Sequence, residues 1–391
     1  MRATTKTQNF LLYLFFFSLN FEIWDPLSTS GIFSVAKLTG FLYAFSIISK
    51  LNYFLIIPKN IKVYVKLLLF FYSFLVIMNL ININYYSSDF LYFSFLQNII
   101  LFIFLINHER LSPGIIEKGF ISFFIGTLVL SGCYFLGLGL EINIEGRVSL
   151  FGDNENIIGV RMVISALILT HIILKYRNKL LKIVYIFLPF CYFPLVTLTL
   201  NTGSRLSFIS LFLGVSLIFL IYQNKNIFFK ILILTFGIYA SIFLFDLAMQ
   251  SEVLGTRLIK TAEDGHLAGR NDIWVSILPL IESNWIVGVG KTGYAEYSSR
   301  LFGVIKSPHN VFLEILAYTG VIGLFLFLSF LIKSFRDSYR YLKLYNEVVP
   351  FVFIVPILGI ILSAQILNFK LGWVIFAYAA SRTLYLNTTV K

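Results

Sequence analysis

The chain has 391 residues, of which 58% are hydrophobic, 18% aromatic and 13% charged, with a mean hydropathy of +0.85. A soluble domain carries about a quarter charged residues, and a transmembrane barrel shows short alternating segments; both classes are excluded, leaving an all-α polytopic membrane bundle. The formal charge of +12 raises a nucleic-acid partner, which the placement of the charges argues against.

The N-terminal residues 1–9 are basic and polar, and an apolar run follows. No small-x-small cleavage site comes after it, and Trp24-Asp25-Pro26 reads as an interfacial exit, so this is an uncleaved first span. Apolar segments continue near 32–48, 64–82, 89–106, 119–140, 157–175, 183–200, 206–222, 228–248, 310–332, 349–367 and 371–386. With the first at 8–24 they predict about twelve spans of ~20 residues in one polytopic domain, 1–391. Cys133 and Cys191 both sit in apolar runs, and His108, His171, His266 and His309 lie far apart, so no metal-ligand motif arises and no cofactor is expected.

With the N-terminus in the cytoplasm, the inside loops hold Lys50, Lys59, Lys62 and Lys66; Arg110 and Lys118; Lys175, Arg177, Lys179 and Lys182; Lys225 and Lys230; and Lys333, Arg336, Arg340 and Lys343. Adding Arg2, Lys6, Arg382 and Lys391 makes twenty of the thirty-one basic residues, against only Glu109, Glu117, Asp337 and Glu347 as inside acids. His108 reads as a solvated loop histidine beside Glu109, and His266 as an ordinary loop residue. The outward loops are short or acidic: Asp89, then Glu141, Glu145, Asp153 and Glu155. Both termini are therefore cytoplasmic, and the positive charge is mainly a topology device.

One outward connection, 249–307, is long enough to be functional. Within it Ile273, Trp274, Ile277, Leu278 and Ile281 recur at helical spacing, which predicts an amphipathic helix on the outer interface. Once the inside charges are subtracted, some outward cations remain, and four of them stand out. Arg205 follows Ser204, a candidate N-cap, in Asn201-Thr-Gly-Ser-Arg205; Arg270 opens the amphipathic helix; Arg147 lies in an acidic loop; Arg161 sits one turn inside the sixth span. Arg161 and Arg205 either snorkel to the interface or serve a site, and ionisable groups at membrane depth favour a site.

At 306–328 the sequence places Ser307 as N-cap and Pro308 at the first helical position, with His309 and Asn310 in the first turn. The positive end of the helix dipole attracts an anion there and holds His309 neutral, a proton acceptor at pH 7; the alternative is a mere interfacial cap. Glu314, one turn beyond Asn310, is placed to orient it, and Gly320 and Gly323 allow close helix contact. Arginines and a neutral base on the outer face suit a phosphorylated, membrane-anchored substrate.

These residues resemble the O-antigen ligase and polymerase superfamily of bacterial surface-polysaccharide assembly. The carrying elements are Thr202-Gly-Ser-Arg205, Arg270-Asn-Asp-Ile-Trp274, Gly288-Val-Gly290, and His309-Asn310 with Leu313, Gly320 and Gly323, across about 151–330. The resemblance implies a metal-independent inverting glycosyltransferase with a polyprenyl-diphosphate-linked glycan as donor. Arg205 and Arg270 match the family's diphosphate-engaging arginines, and His309 its histidine near the acceptor hydroxyl. Asp153-Asn154-Glu155-Asn156 resembles its polar turn before the sixth span, whereas Arg161 is less typical of it. The catalytic set is thus His309, Arg270 and Arg205, with Arg161, Arg147, Asn310, Glu314, Trp274 and Ser204 as candidate substrate contacts. The acceptor is a lipid-linked repeat unit for a polymerase or a lipid A core sugar for a ligase. Membrane lipids, chain-length regulators and flippases are the other expected partners, nucleic acid is not, and the location is the bacterial inner membrane. A flippase or small-anion transporter is the rival class.

Overall fold

The computed structural model describes residues 4–29, 33–82, 91–176, 181–221, 249–264 and 270–386, with scattered positions between 231 and 247. The principal helices begin with α1 (Lys6–Ser18), α2 (Val35–Ser46), α3 (Lys62–Ile81), α4 (Phe93–Leu111) and α5 (Ile115–Phe135). A hairpin of β1 (Leu140–Ile142) and β2 (Val148–Leu150) precedes α6 (Glu155–Lys175), α7 (Lys182–Asn201) and α8 (Arg205–Ile221). Then come α9 (Glu252–Asp264), α10 (Arg270–Ser283), α11 (Gly290–Phe302), α12 (Val311–Tyr345), α13 (Val349–Ile361) and α14 (Lys370–Ser381). Among the described residues five helices, α3, α5, α6, α7 and α12, are long and apolar enough to cross a membrane. Helices occupy every expected segment outside 228–248; most of 228–248 lies outside the described residues, as do Arg2, Asp89, Arg177, Lys179, Lys225, Lys230, His266 and Lys391, and its described positions are helical.

The chain divides into two compact units. The first comprises 1–54, 107–260 and 345–359, and α6 runs through its core. Asn154 caps α6, its side chain accepting the Asn156 N–H at 2.9 Å. Small residues set the helix spacing. A Cβ at Gly159 of α6 would meet Ser207 of α8, and one at Gly214 of α8 would meet Leu167 of α6. The Tyr43 hydroxyl bonds His108 Nδ1 at 3.1 Å, and Asn9 Oδ1 lies 2.8 Å from His108 Nε2. His108 is therefore fully buried rather than solvated, because hydrogen-bond partners on α1 and α2 satisfy both ring nitrogens. The adjacent Glu109 is buried as well and accepts the Gly114 and Ile116 N–H groups at 2.8 and 3.1 Å, covering the start of α5.

The hairpin departs from the purely helical expectation. Asn143 Oδ1 accepts the N–H groups of Glu145 at 2.9 Å and Arg147 at 3.0 Å, and Gly146 takes φ +73°, so the turn closes on itself. Opposite ends of α6, about 30 Å apart, gather different residues. At its C-terminal end Glu117 accepts bonds from Lys175 at 2.7 Å and Tyr176 at 3.0 Å, and Lys175 lies 3.6 Å from Glu347. Glu117, Lys175 and Glu347, assigned to one side from sequence, thus meet at one end, and the hairpin acids lie at the other.

The second unit comprises 55–106, 261–344 and 360–391. Its aromatic core links Phe71, Phe95, Phe330 and Trp373. At one end the Tyr64 hydroxyl and Lys333 both bond Asp337, at 3.0 and 2.7 Å. Helix α12 is broken at Gly320, which takes φ +57° and ψ −160°. The break is filled by 284–290. Val321 N–H donates to Trp285 O and Val289 N–H to Ala317 O, both at 2.9 Å. Irregular backbone at a break in an apolar helix is tolerated where such bonds satisfy it.

Candidate functional site

In the first unit the site residues surround the turn between α7 and α8. Gly203 takes φ +60°, and Ser204 Oγ caps α8 through the Ser207 N–H at 3.4 Å, as its sequence position predicts. Two arginines hold the turn's carbonyls: Arg147 Nε donates to Thr202 O at 2.8 Å and Arg257 Nη1 to Gly203 O at 2.9 Å. Arg147 also donates to Asn156 Oδ1 at 2.9 Å and lies 3.5 Å from Glu155, so it ties the hairpin, the turn and α6 together. Arg205, half-buried at the start of α8, is within electrostatic reach of Arg257 and Glu145.

Arg161 does not snorkel. It is 1% exposed, ion-paired to Asp153 and 3.5 Å from Glu22, two acids that flank it inside the bundle. Burial pushes the Asp153 carboxyl up and the Arg161 charge opposes that shift. Arg161 therefore balances internal acids, a constraint the sequence does not disclose because Glu22 lies far away in the chain.

In the second unit α10 is described from Arg270 on, with Ile277 and Ile281 buried; Leu278 is 41% exposed and lies off the packed face. Trp274 Nε1 donates to Pro308 O at 2.8 Å and so anchors the chain just before His309. From the other side the Tyr294 hydroxyl donates to Lys306 O at 2.6 Å, and burial pushes that phenol up to about 12. His309 itself takes φ +50°, a left-handed backbone costing on the order of 1 kcal/mol outside glycine.

The helix starts later than Ser307-Pro308 suggests. Ser307 Oγ accepts the His309 N–H at 3.1 Å, while Asn310 Oδ1 accepts the N–H groups of Phe312 and Leu313 at 2.9 and 3.3 Å. Asn310 is the N-cap, because the left-handed His309 interrupts the helical path before it. His309 is held below its ordinary pKa, first by burial and second by the Arg270 charge, rather than by a position in the first turn. The imidazole is neutral at pH 7.

Glu314 does not orient the Asn310 amide. It is buried, its Oε1 accepts the Tyr318 hydroxyl at 3.1 Å, and its Oε2 has no hydrogen-bond partner among the described residues. Lys291 lies within electrostatic reach of it and places its ammonium 4.1 Å from the Tyr92 ring centre. Gly288, at φ +71°, passes so close to Tyr318 and Thr319 that a side chain has no room.

Residues 190–328 match the family model described as O-Antigen ligase. This match supports the resemblance to the O-antigen ligase/polymerase superfamily over that stretch. The O-antigen ligase region contains Ser204, Arg205, Arg257, Arg270, Trp274, His309, Asn310 and Glu314, and starts after Arg147 and Arg161. The superfamily is one of membrane glycosyltransferases, which the helical architecture suits. No curated protein matches the chain.

The structure thus brings His309, Arg270 and Trp274 together in the second unit and Ser204, Arg205 and Arg147 together in the first. Sequence reading missed Arg257, which sits on a helix of 13 residues inside the stretch taken as a loop. Its signal was present: Val253, Leu254 and Leu258 recur at helical spacing, with Arg257 beside them.

Proposed function

We propose that this protein transfers a polyprenyl-diphosphate-linked glycan to the hydroxyl of a lipid-linked repeat unit, as a surface-polysaccharide polymerase of the bacterial inner membrane. The observation that carries the reading is a neutral His309 held beside Arg270 by the Trp274 bond to Pro308. His309 takes the proton of the acceptor hydroxyl as its oxygen attacks the anomeric carbon. The bond from that carbon to the diphosphate oxygen breaks, and the electron pair leaves with polyprenyl diphosphate, so the anomeric configuration inverts. Arg270, beside His309, balances the growing charge on the leaving group, a role a metal ion fills elsewhere, and the resemblance gives Arg205 to the donor diphosphate as well. The excess of basic residues in the other set of loops supports an outer-side location for this chemistry, downstream of a flippase and alongside a chain-length regulator.

Cells carrying His309→Ala or Arg270→Ala test the site. Loss of long polysaccharide chains at normal protein level is expected in both, and intact ladders in both overturn the assignment. Purified protein given the donor lipid alone, or the donor with lipid A core, separates the acceptors. Elongation on donor alone is the expected result; product only with lipid A core makes the protein a ligase.

A further inference from the structure

The turn that carries Arg205 has a second arginine and a carboxylate on it. Helix α9 is seated there by Val253: a Cβ at Gly146 or Gly203 would meet this side chain at 3.2 and 2.9 Å. Leu254, fully buried against Leu200, fixes the rotation of α9. One turn after Val253, Arg257 sends Nη1 to Gly203 O and leaves Nε 3.5 Å from Glu145 Oε2. Arg205 is within electrostatic reach of the same two side chains. Arg147 is matched separately by Glu155. Among the described residues, Arg205 and Arg257 thus both face Glu145.

Their exposures differ in a telling way. The Arg257 side chain is 13% exposed and tied to backbone, whereas Glu145 is 55% exposed at a hairpin tip. The arginine is fixed and the acid is free to swing into water. We infer that Arg257 joins Arg205 in the anion site for the donor, and that the Glu145 carboxylate is an internal occupant which the diphosphate displaces. The inference rests on the reading that a diphosphate lipid binds at Arg205. An ion pair with so exposed a partner is weak. A diphosphate brings more charge and several acceptor oxygens, and forks onto arginine with directed bonds.

The test is titration calorimetry on the full chain in nanodiscs, with geranyl diphosphate and, separately, inorganic diphosphate. Glu145→Gln removes the competing charge and tightens geranyl diphosphate by about two- to fivefold. Arg257→Ala weakens it by about tenfold or more. That change also removes the bond to Gly203, so Arg257→Gln, which keeps a donor for the carbonyl, is measured beside it and weakens binding similarly. Unchanged affinity in Glu145→Gln, or in Arg257→Gln, overturns the inference. A matching shift with inorganic diphosphate shows that the diphosphate itself is recognised; a shift with inorganic diphosphate alone overturns the lipid as its source. The ladder assay fails independently. Shifted binding with intact His309→Ala and Arg270→Ala ladders sinks the transferase reading and keeps the anion site, and the reverse pattern does the opposite.

Discussion

Replacing Gly320 by alanine tests whether the break in α12 is built into the fold. Gly320 takes φ +57° and ψ −160°, a region open essentially to glycine alone, so a side chain there costs about 1–3 kcal/mol in backbone strain. The added Cβ would also fall against the backbone of Ile286 and Val287, which cannot rotate away as a side chain would. Overpacking of that kind adds about 1–3 kcal/mol, and the two terms together give about 2–6 kcal/mol. The bonds Val321 N–H to Trp285 O and Val289 N–H to Ala317 O would loosen together. Gly132 of α5 is the control, since a Cβ there meets nothing within 4 Å and helical alanine is favoured by about 0.5–1 kcal/mol. Reversible denaturation of the purified protein in mixed detergent micelles measures both variants. Equal stability of Gly320→Ala and Gly132→Ala would refute the reasoning.

Three further outcomes follow from named contacts. Because burial and Arg270 lower the His309 pKa, turnover holds at neutral pH and fails only as pH falls through that lowered value; Arg270→Ala moves the acid limb to higher pH, read from the pH profile of chain elongation by its residual activity. An acid limb left in place in that variant sinks the pairing. Arg161→Met leaves Glu22 and Asp153 buried without their counter-charge and destabilises by about 3–5 kcal/mol in the same denaturation assay, whereas a cost below about 1 kcal/mol would show that the acids find water. Trp274→Phe keeps most of the ring but loses the bond to Pro308, which is worth about 1 kcal/mol and predicts a fall of up to about fivefold in turnover per enzyme.

Much of this architecture was written in apolar run length. The spans and the cap at Ser204 rest on local pattern, and local pattern is what a sequence displays. What escaped it is long-range. His108 looks like a loop residue until α1 and α2 supply its partners. Arg161 looks like a snorkelling charge until Glu22, far earlier in the chain, closes on it. The hairpin strands are three residues each, too short for alternation to be counted. Ser307-Pro308 and Asn310 both offer caps, and the choice was made by the left-handed backbone at His309, which follows from its surroundings.

The notch at Gly320 also fixes a length. Between the Asn310 cap and that glycine the chain makes fewer than three helical turns, anchored at one end by the Trp274–Pro308 bond and at the other by the 284–290 segment. One residue inserted there would rotate Asn310 and the imidazole before it by about 100° and shift them by about 1.5 Å relative to the notch. Genuine relatives should therefore tolerate gaps freely beyond the helix ends and almost none between these two positions, so spacing, more than residue identity, would be the feature by which to recognise them.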